Sequence, residues 1–160
     1  MSASGITLRS ARTTDLDNIN RVVSSAVMCW NLPDRVKRLS LPSYHYNELD
    51  LDHFQLIIAE DQQKNITGVA AWAAADTKDT PANCKALLLH GLYIEPLFQH
   101  KGIGRQLLLA AERAAHAAHY DGLLVKAQDD ATGFFLAQGM QKLAIENSSR
   151  DYANRFWKSI

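Results

Sequence analysis

Residues 6–9, Ile-Thr-Leu-Arg, alternate apolar and polar, which is the two-residue period of a half-buried strand. Leu16, Ile19, Val22, Val23 and Ala26 then recur at helical spacing, with Thr14 or Asp15 placed to cap the segment. Residues 28–52 show the weakest pattern. Pro33 suits the start of a second helix through Val36 and Leu39, and Pro42 suits its exit. Residues 54–59 predict a strand, 61–65 a turn, and 66–73 a returning strand with a bulge at Gly68. A polar loop containing Pro81 spans 76–83. Residues 86–94 are apolar on both faces apart from His90 and Gly91, the pattern of a central buried strand.

The clearest helix follows. Ile103, Leu107, Leu108, Ala111, Ala114, Ala115 and Ala118 form its apolar face, and Arg105, Glu112, Arg113, His116 and His119 the opposite one. Gly122 leads into a strand at 123–127. Asp129 or Asp130 caps a short helix through Phe134, Phe135 and Leu136, which Gly139 ends. Residues 142–146 and 151–158 predict closing strands. The order β-α-α-β-β-β-α-β-α-β-β implies one mixed α/β (α+β) domain over residues 1–160. Its sheet is expected to be mostly antiparallel and flanked by helices.

Composition narrows the function. The chain has 160 residues, a length suited to one core, with 17 basic and 17 acidic side chains. With no basic excess, neither nucleic acid nor an anionic membrane is an expected partner. Cys29 and Cys84 have no metal or redox spacing, and His116 and His119 lack a further ligand, so no metal site is expected. No signal peptide or transmembrane run is visible, and a soluble cytoplasmic protein is the expectation.

Candidate chemistry concentrates at Gln99-His100-Lys101-Gly102-Ile103-Gly104-Arg105, between the apolar strand and the strong helix. The first N–H groups of a helix lack internal partners and lie at the positive end of its dipole, so a phosphate binds there. Gly102 and Gly104 remove side chains that would hold an anion off the backbone, and Lys101 and Arg105 add charge. Two other phosphate loops are excluded. A P-loop would need glycine where Leu97 stands, and a dinucleotide fingerprint would need a third glycine where Leu107 stands.

The run Leu92-Tyr93-Ile94-Glu95-Pro96-Leu97-Phe98-Gln99-His100-Lys101-Gly102-Ile103-Gly104-Arg105-Gln106-Leu107 closely resembles the acetyl-CoA motif of the GNAT superfamily of N-acetyltransferases. Residues 128–140, Gln-Asp-Asp-Ala-Thr-Gly-Phe-Phe-Leu-Ala-Gln-Gly-Met, are similar to that family's Asn-x-x-Ala-x-x-Phe-Tyr-x-x-x-Gly-Phe. Three departures stand out: Gln128 for Asn, Phe135 for Tyr, and Met140 for Phe. The tyrosine commonly protonates the departing CoA thiolate, and Phe135 cannot.

The resemblance implies acetyl-CoA as co-substrate. Its pantetheine arm would bond the backbone at Leu92 and Ile94, and its pyrophosphate would rest on Gln99, His100, Lys101, Gly102, Ile103, Gly104 and Arg105. Gln128 and Phe135 complete the implied cofactor site. An N–H near Ile94 would polarise the thioester carbonyl. His90 is the candidate base, since some relatives place histidine there, and burial would lower its pKa. A buried histidine satisfied by a backbone carbonyl is the competing reading. Tyr120 and Tyr152 carry hydroxyls that nothing in the sequence places near sulfur, so no acid is assigned. Trp30, Tyr44, His45 and Tyr46 either line an acceptor pocket or pack over the sheet edge.

The expected activity is direct acetyl transfer from acetyl-CoA to a primary amine of a small molecule or peptide. Two rivals stay open: a non-catalytic acetyl-CoA sensor, and an acyltransferase with another acyl donor or acceptor. Family habit leaves a homodimer open.

Overall fold

The computed structural model describes residues 5–146 and 154–160. Its strands are β1 (Thr7–Ser10), β2 (Gln55–Glu60), β3 (Ile66–Ala74), β4 (Ala86–Ile94), β5 (Gly122–Lys126), β6 (Gln141–Lys142) and β7 (Arg155–Ser159). Its helices are α1 (Leu16–Met28), α2 (Asp34–Tyr44), α3 (Glu48–His53), α4 (Ile103–Ala117) and α5 (Thr132–Ala137). The strands form one seven-stranded sheet in the order β1-β2-β3-β4-β5-β7-β6. β1 pairs antiparallel with β2, and β7 antiparallel with both β5 and β6. β4 and β5 run parallel, from Ala86↔Gly122 to Leu89↔Val125. The mostly antiparallel, helix-flanked α/β sheet agrees with the sequence reading. The expected closing strand at 151–158 falls partly outside the described residues.

The chain divides into two compact units. One holds residues up to Ala71 with Gly91–Leu108, and the other holds Trp72–His90 with Leu109–Ile160. In the first, α1 buries Ile19, Val22, Val23, Ala26 and Val27, the stripe its spacing predicts. They pack with Tyr46, Leu56, Ile58, Ile66, Val69, Ala71 and Tyr93. Each buried Ile or Val contributes about 1.5–3 kcal/mol relative to exposure. Arg9 anchors this unit's edge, its guanidinium donating to both Asp15 carboxylate oxygens at 2.8 and 2.9 Å and to Glu60 at 3.0 and 3.1 Å.

In the second unit, Leu124 of β5 packs with Ala86 and Trp157, joined by Ala75, Cys84, Leu88 and Leu143. Buried Arg155 donates to the carbonyls of Asp79 (3.2 Å) and Ala144 (3.0 Å), and Lys126 donates to the Asp79 carboxylate at 3.3 Å. Asp79 therefore ties the 75–85 loop to β5 and β7.

Sequence expectations change at several points. Asp15 sits at the N-cap of α1 without a side-chain cap bond, because its carboxylate serves Arg9 and the Arg12 N–H. Pro42 lies inside α2 rather than at its exit. The proline forfeits one bond, and the last turn closes with the His45 N–H donating to Leu41 at 3.2 Å. A third helix, α3, begins at Asn47, whose side chain accepts from the Asp50 N–H while Asp50 accepts from the Asn47 N–H. That reciprocal Asn-x-x-Asp signature is visible in the sequence. Gly68 lies within β3, where a Cβ would sit 3.0 Å from Ile94 Cδ1, 3.1 Å from Ile103 Cγ2 and 3.2 Å from Leu107 Cδ1. The residue is glycine because the start of α4 presses on β3.

Candidate active site

Strand β4 is buried on only part of its surface. Leu87, Leu89, Gly91 and Tyr93 are buried, Leu88, Leu92 and Ile94 are half-buried, and His90 is exposed. The fully buried strand suggested by its composition is therefore not found, nor is a buried His90. Beyond the last pair with β5, at Leu89↔Val125, β4 runs on through Ile94. The Glu95 N–H then donates to the Thr67 carbonyl at 2.8 Å, which ties this end of β4 to β3.

After β4 the chain turns sharply. Pro96–Phe98 forms one 3-10 turn, with the Phe98 N–H donating to Glu95 at 2.8 Å. The Gln99 side chain reaches back to donate to the Ile94 carbonyl at 3.3 Å. His100 (φ 61°) and Gly102 (φ 86°) both occupy the left-handed region, on either side of Lys101. That conformation costs a residue with a Cβ about 1–2 kcal/mol, which explains glycine at 102.

The Gly102 carbonyl accepts from the Gln106 N–H at 3.1 Å, the first bond of α4. The N–H groups of Ile103, Gly104 and Arg105 stand ahead of that bond, at the positive end of a fifteen-residue helix. No acidic side chain lies in the first turn to neutralise them. Ile103 is buried and holds the turn to the core, while Arg105 and Lys101 are exposed. Lys101 Nζ lies 5.5 Å from the Phe98 ring centroid, a cation–π contact that restrains the ammonium beside the loop. Small half-buried Gly104, exposed cations and aligned N–H groups are the donor set a pyrophosphate requires, and the residues fit such a group.

The first unit thus brings together Leu92, Ile94, Gln99, His100, Lys101, Gly102, Ile103, Gly104 and Arg105. His90, Gln128 and Phe135 belong to the second unit. Gln128 is half-buried, and its carbonyl accepts from the Ala131 N–H at 3.0 Å. Phe135 is 3% exposed, its ring edge-on to Phe134 at 5.1 Å. Glu95 accepts from Arg21 at 3.3 Å.

The aromatic segment before α3 resolves into two kinds of contact. Trp30 and Tyr44 meet edge-on at 5.1 Å, and Tyr46 is buried in the core. His45 Nε2 lies 2.7 Å from Ser24 Oγ. Sequence reasoning missed Lys37, which is buried and donates to the carbonyls of Met28 (2.7 Å) and Trp30 (3.1 Å), closing the end of α1. Its sequence signal was a lysine in register with apolar helix positions. Tyr120 is half-buried, and Tyr152 lies outside the described residues. Among the described residues, no cluster of His, Cys, Asp or Glu could hold a metal ion, and no helix is long and apolar enough to cross a membrane.

Residues 37–153 match the family model described as an acetyltransferase (GNAT) domain, and the chain belongs to that family of acyltransferases. Among solved structures it is similar to the PaiA N-acetyltransferase from Thermoplasma acidophilum in complex with coenzyme A. That likeness has a TM-score of 0.79 at 14% identity, over 97% of this chain and 99% of that one. A GNAT family acetyltransferase from Brucella melitensis in complex with acetyl-CoA gives 0.64 at 13% identity, over 96% and 87%. AtaT complexed with acetyl-methionyl-tRNAfMet gives 0.61 at 16% identity, over 96% and 94%. At these identities the likeness is one of fold. No curated protein sequence matches the chain.

Proposed function

We propose that this acetyltransferase moves an acetyl group from acetyl-CoA directly to a primary amine of a small molecule or peptide. We further propose that residues 1–160 act as one catalytic domain. The observation that carries the reading is the start of α4. Three N–H groups precede its first internal bond, a left-handed Gly102 turns the chain in, and no carboxylate competes.

In this reading the donor's pyrophosphate rests on residues 99–105. Its pantetheine arm bonds the backbone at Leu92 and Ile94, where β4 continues past its register with β5. An N–H near Ile94 polarises the thioester carbonyl. The amine nitrogen attacks that carbon, and the carbon–sulfur bond breaks. The amine proton passes to His90, directly or through water, which its exposed position admits. The thiolate takes its proton from water. Free Cys29 and Cys84 suit the reducing cytoplasm.

The test is calorimetry with acetyl-CoA, followed by thiol release across an amine panel of spermidine, lysine, a peptide with a free N-terminus and an aminoacyl-tRNA. Acetyl-CoA is expected to bind, and Gly104→Glu to abolish binding without unfolding the chain. Full affinity in that variant would show that the phosphate site is misplaced. The tRNA is included because AtaT is seen with an acetylated aminoacyl-tRNA. Turnover with that amine alone would replace the small-molecule or peptide acceptor.

A further inference from the structure

We infer that Tyr46 is a positioning residue for acetyl transfer, acting through Gly91 of β4; this rests on the acetyl-transfer reading above. A Cβ built on Gly91 would lie 2.3 Å from the Tyr46 hydroxyl oxygen and 2.7 Å from Tyr93 Cε2. No side chain fits there, so glycine at 91 is what lets the phenol tip close against the strand. Gly91 stands directly between His90 and Leu92, the proposed base and one of the proposed pantetheine contacts.

The phenol is held from the other end by a dedicated clamp. Asn20 of α1 donates its amide to the Tyr46 carbonyl at 2.8 Å, and its oxygen accepts from the Tyr46 N–H at 2.8 Å. One side chain thus satisfies both backbone groups of Tyr46. Ser24, one helical turn on, meets His45 Nε2 at 2.7 Å and fixes the preceding residue. The ring is 4% exposed and edge-on to Phe54 at 6.4 Å, inside the cluster of Ile19, Val22, Val23, Leu56 and Ile58. Position 46 is thus tied through both its backbone groups and its ring, and its hydroxyl reaches Gly91 of β4.

The chemistry of the tip points the same way. Phenylalanine would keep the ring's apolar contacts but lose the hydroxyl that lies against Gly91. Burial, together with the nearby Tyr93 and Asp50, pushes the Tyr46 hydroxyl above its ordinary range, so it stays protonated as a neutral dipole. A fixed neutral O–H against the Gly91 backbone sets where the strand lies without adding charge beside a thioester. Displacing reacting groups by about 1 Å costs on the order of 10²-fold in rate, so a spacer at this point has leverage.

The experiment compares Tyr46→Phe, Gly91→Ala and the double variant. Coenzyme A affinity is measured by calorimetry, kcat and KM by thiol release with the best amine of the panel, and folding by thermal melting. Tyr46→Phe is expected to lower kcat about 10-fold while coenzyme A affinity stays within about 2-fold, since the pyrophosphate loop is untouched. Gly91→Ala is expected to lower kcat about 100-fold, and adding Tyr46→Phe to it to restore part of that loss, because the smaller ring end frees the space the methyl needs. A Tyr46→Phe variant with wild-type kcat would overturn the inference, as would a double variant no better than Gly91→Ala. If Gly91→Ala does not fold, the kcat-against-affinity split in Tyr46→Phe decides alone. A wild-type protein that neither binds coenzyme A nor releases thiol overturns the acetyl-transfer reading itself. Normal wild-type turnover matched by Tyr46→Phe overturns only the role of Tyr46.

Discussion

The Phe135 ring lies 5.6 Å from the Phe156 ring, centroid to centroid, with the planes tilted by 30°. The contact fastens α5 to β7 at the position where GNAT relatives commonly carry the tyrosine that protonates the departing thiolate. The Phe135 side chain packs and carries no proton donor. Phe135→Tyr is expected to raise kcat several-fold at unchanged acetyl-CoA affinity, by supplying a proton at the leaving sulfur. A loss of about 1–3 kcal/mol of stability with no gain in kcat would show that the new hydroxyl is only buried against Phe156.

His90 is exposed on a strand otherwise buried or half-buried, which suits a group that must exchange protons with solvent. His90→Ala is expected to lower kcat by on the order of 10²–10⁴ with little change in acetyl-CoA affinity, and to flatten the acidic limb of the rate profile. His90→Gln should fold normally and stay slow. Near-normal kcat with an unchanged acidic limb in the Ala variant would leave proton removal to water or to the acceptor side.

Asp15 offers a stability test independent of the chemistry. Hydrogen bonding from the Arg9 guanidinium holds its carboxyl below the usual range, assisted by the Arg12 N–H and opposed by partial burial. A depressed pKa gives stability that is present above the unfolded value and lost as pH falls through the folded one. Asp15→Asn should therefore cost about 1–3 kcal/mol at neutral pH, read by denaturant titration. The gap to wild type should close as pH falls below about 4, the unfolded aspartate range. A pH-independent gap would assign the loss to packing.

Gly68 links the sheet to the start of α4. A methyl there would meet Ile94, Ile103 and Leu107 at 3.0–3.2 Å, and the Ile103 Cγ2 branch, held by a stiff χ1, has little freedom to yield. Gly68→Ala is expected to cost about 1–3 kcal/mol and to weaken acetyl-CoA binding, because the displaced turn carries the N–H groups of 103–105. Reduced melting temperature with unchanged acetyl-CoA affinity would separate the packing from the phosphate site.

The sequence by itself determined the elements whose signal is local. The helical spacing of Ile19, Val22, Val23 and Ala26 and the strand-loop-helix run around Gly102 and Gly104 were legible because periodicity and backbone conformation are properties of neighbouring residues. α3 was also legible in principle, through its Asn47 and Asp50 cap. The tertiary structure decided what depends on residues far apart in the chain. It left His90 exposed on a strand that reads as buried, and it set Gly68 against Ile103 and Leu107. It buried Lys37 against the end of α1, and it brought the Tyr46 hydroxyl, 45 positions before Gly91, into the space where a side chain would stand. Burial and close approach are set by what packs from other segments, and no local pattern records them.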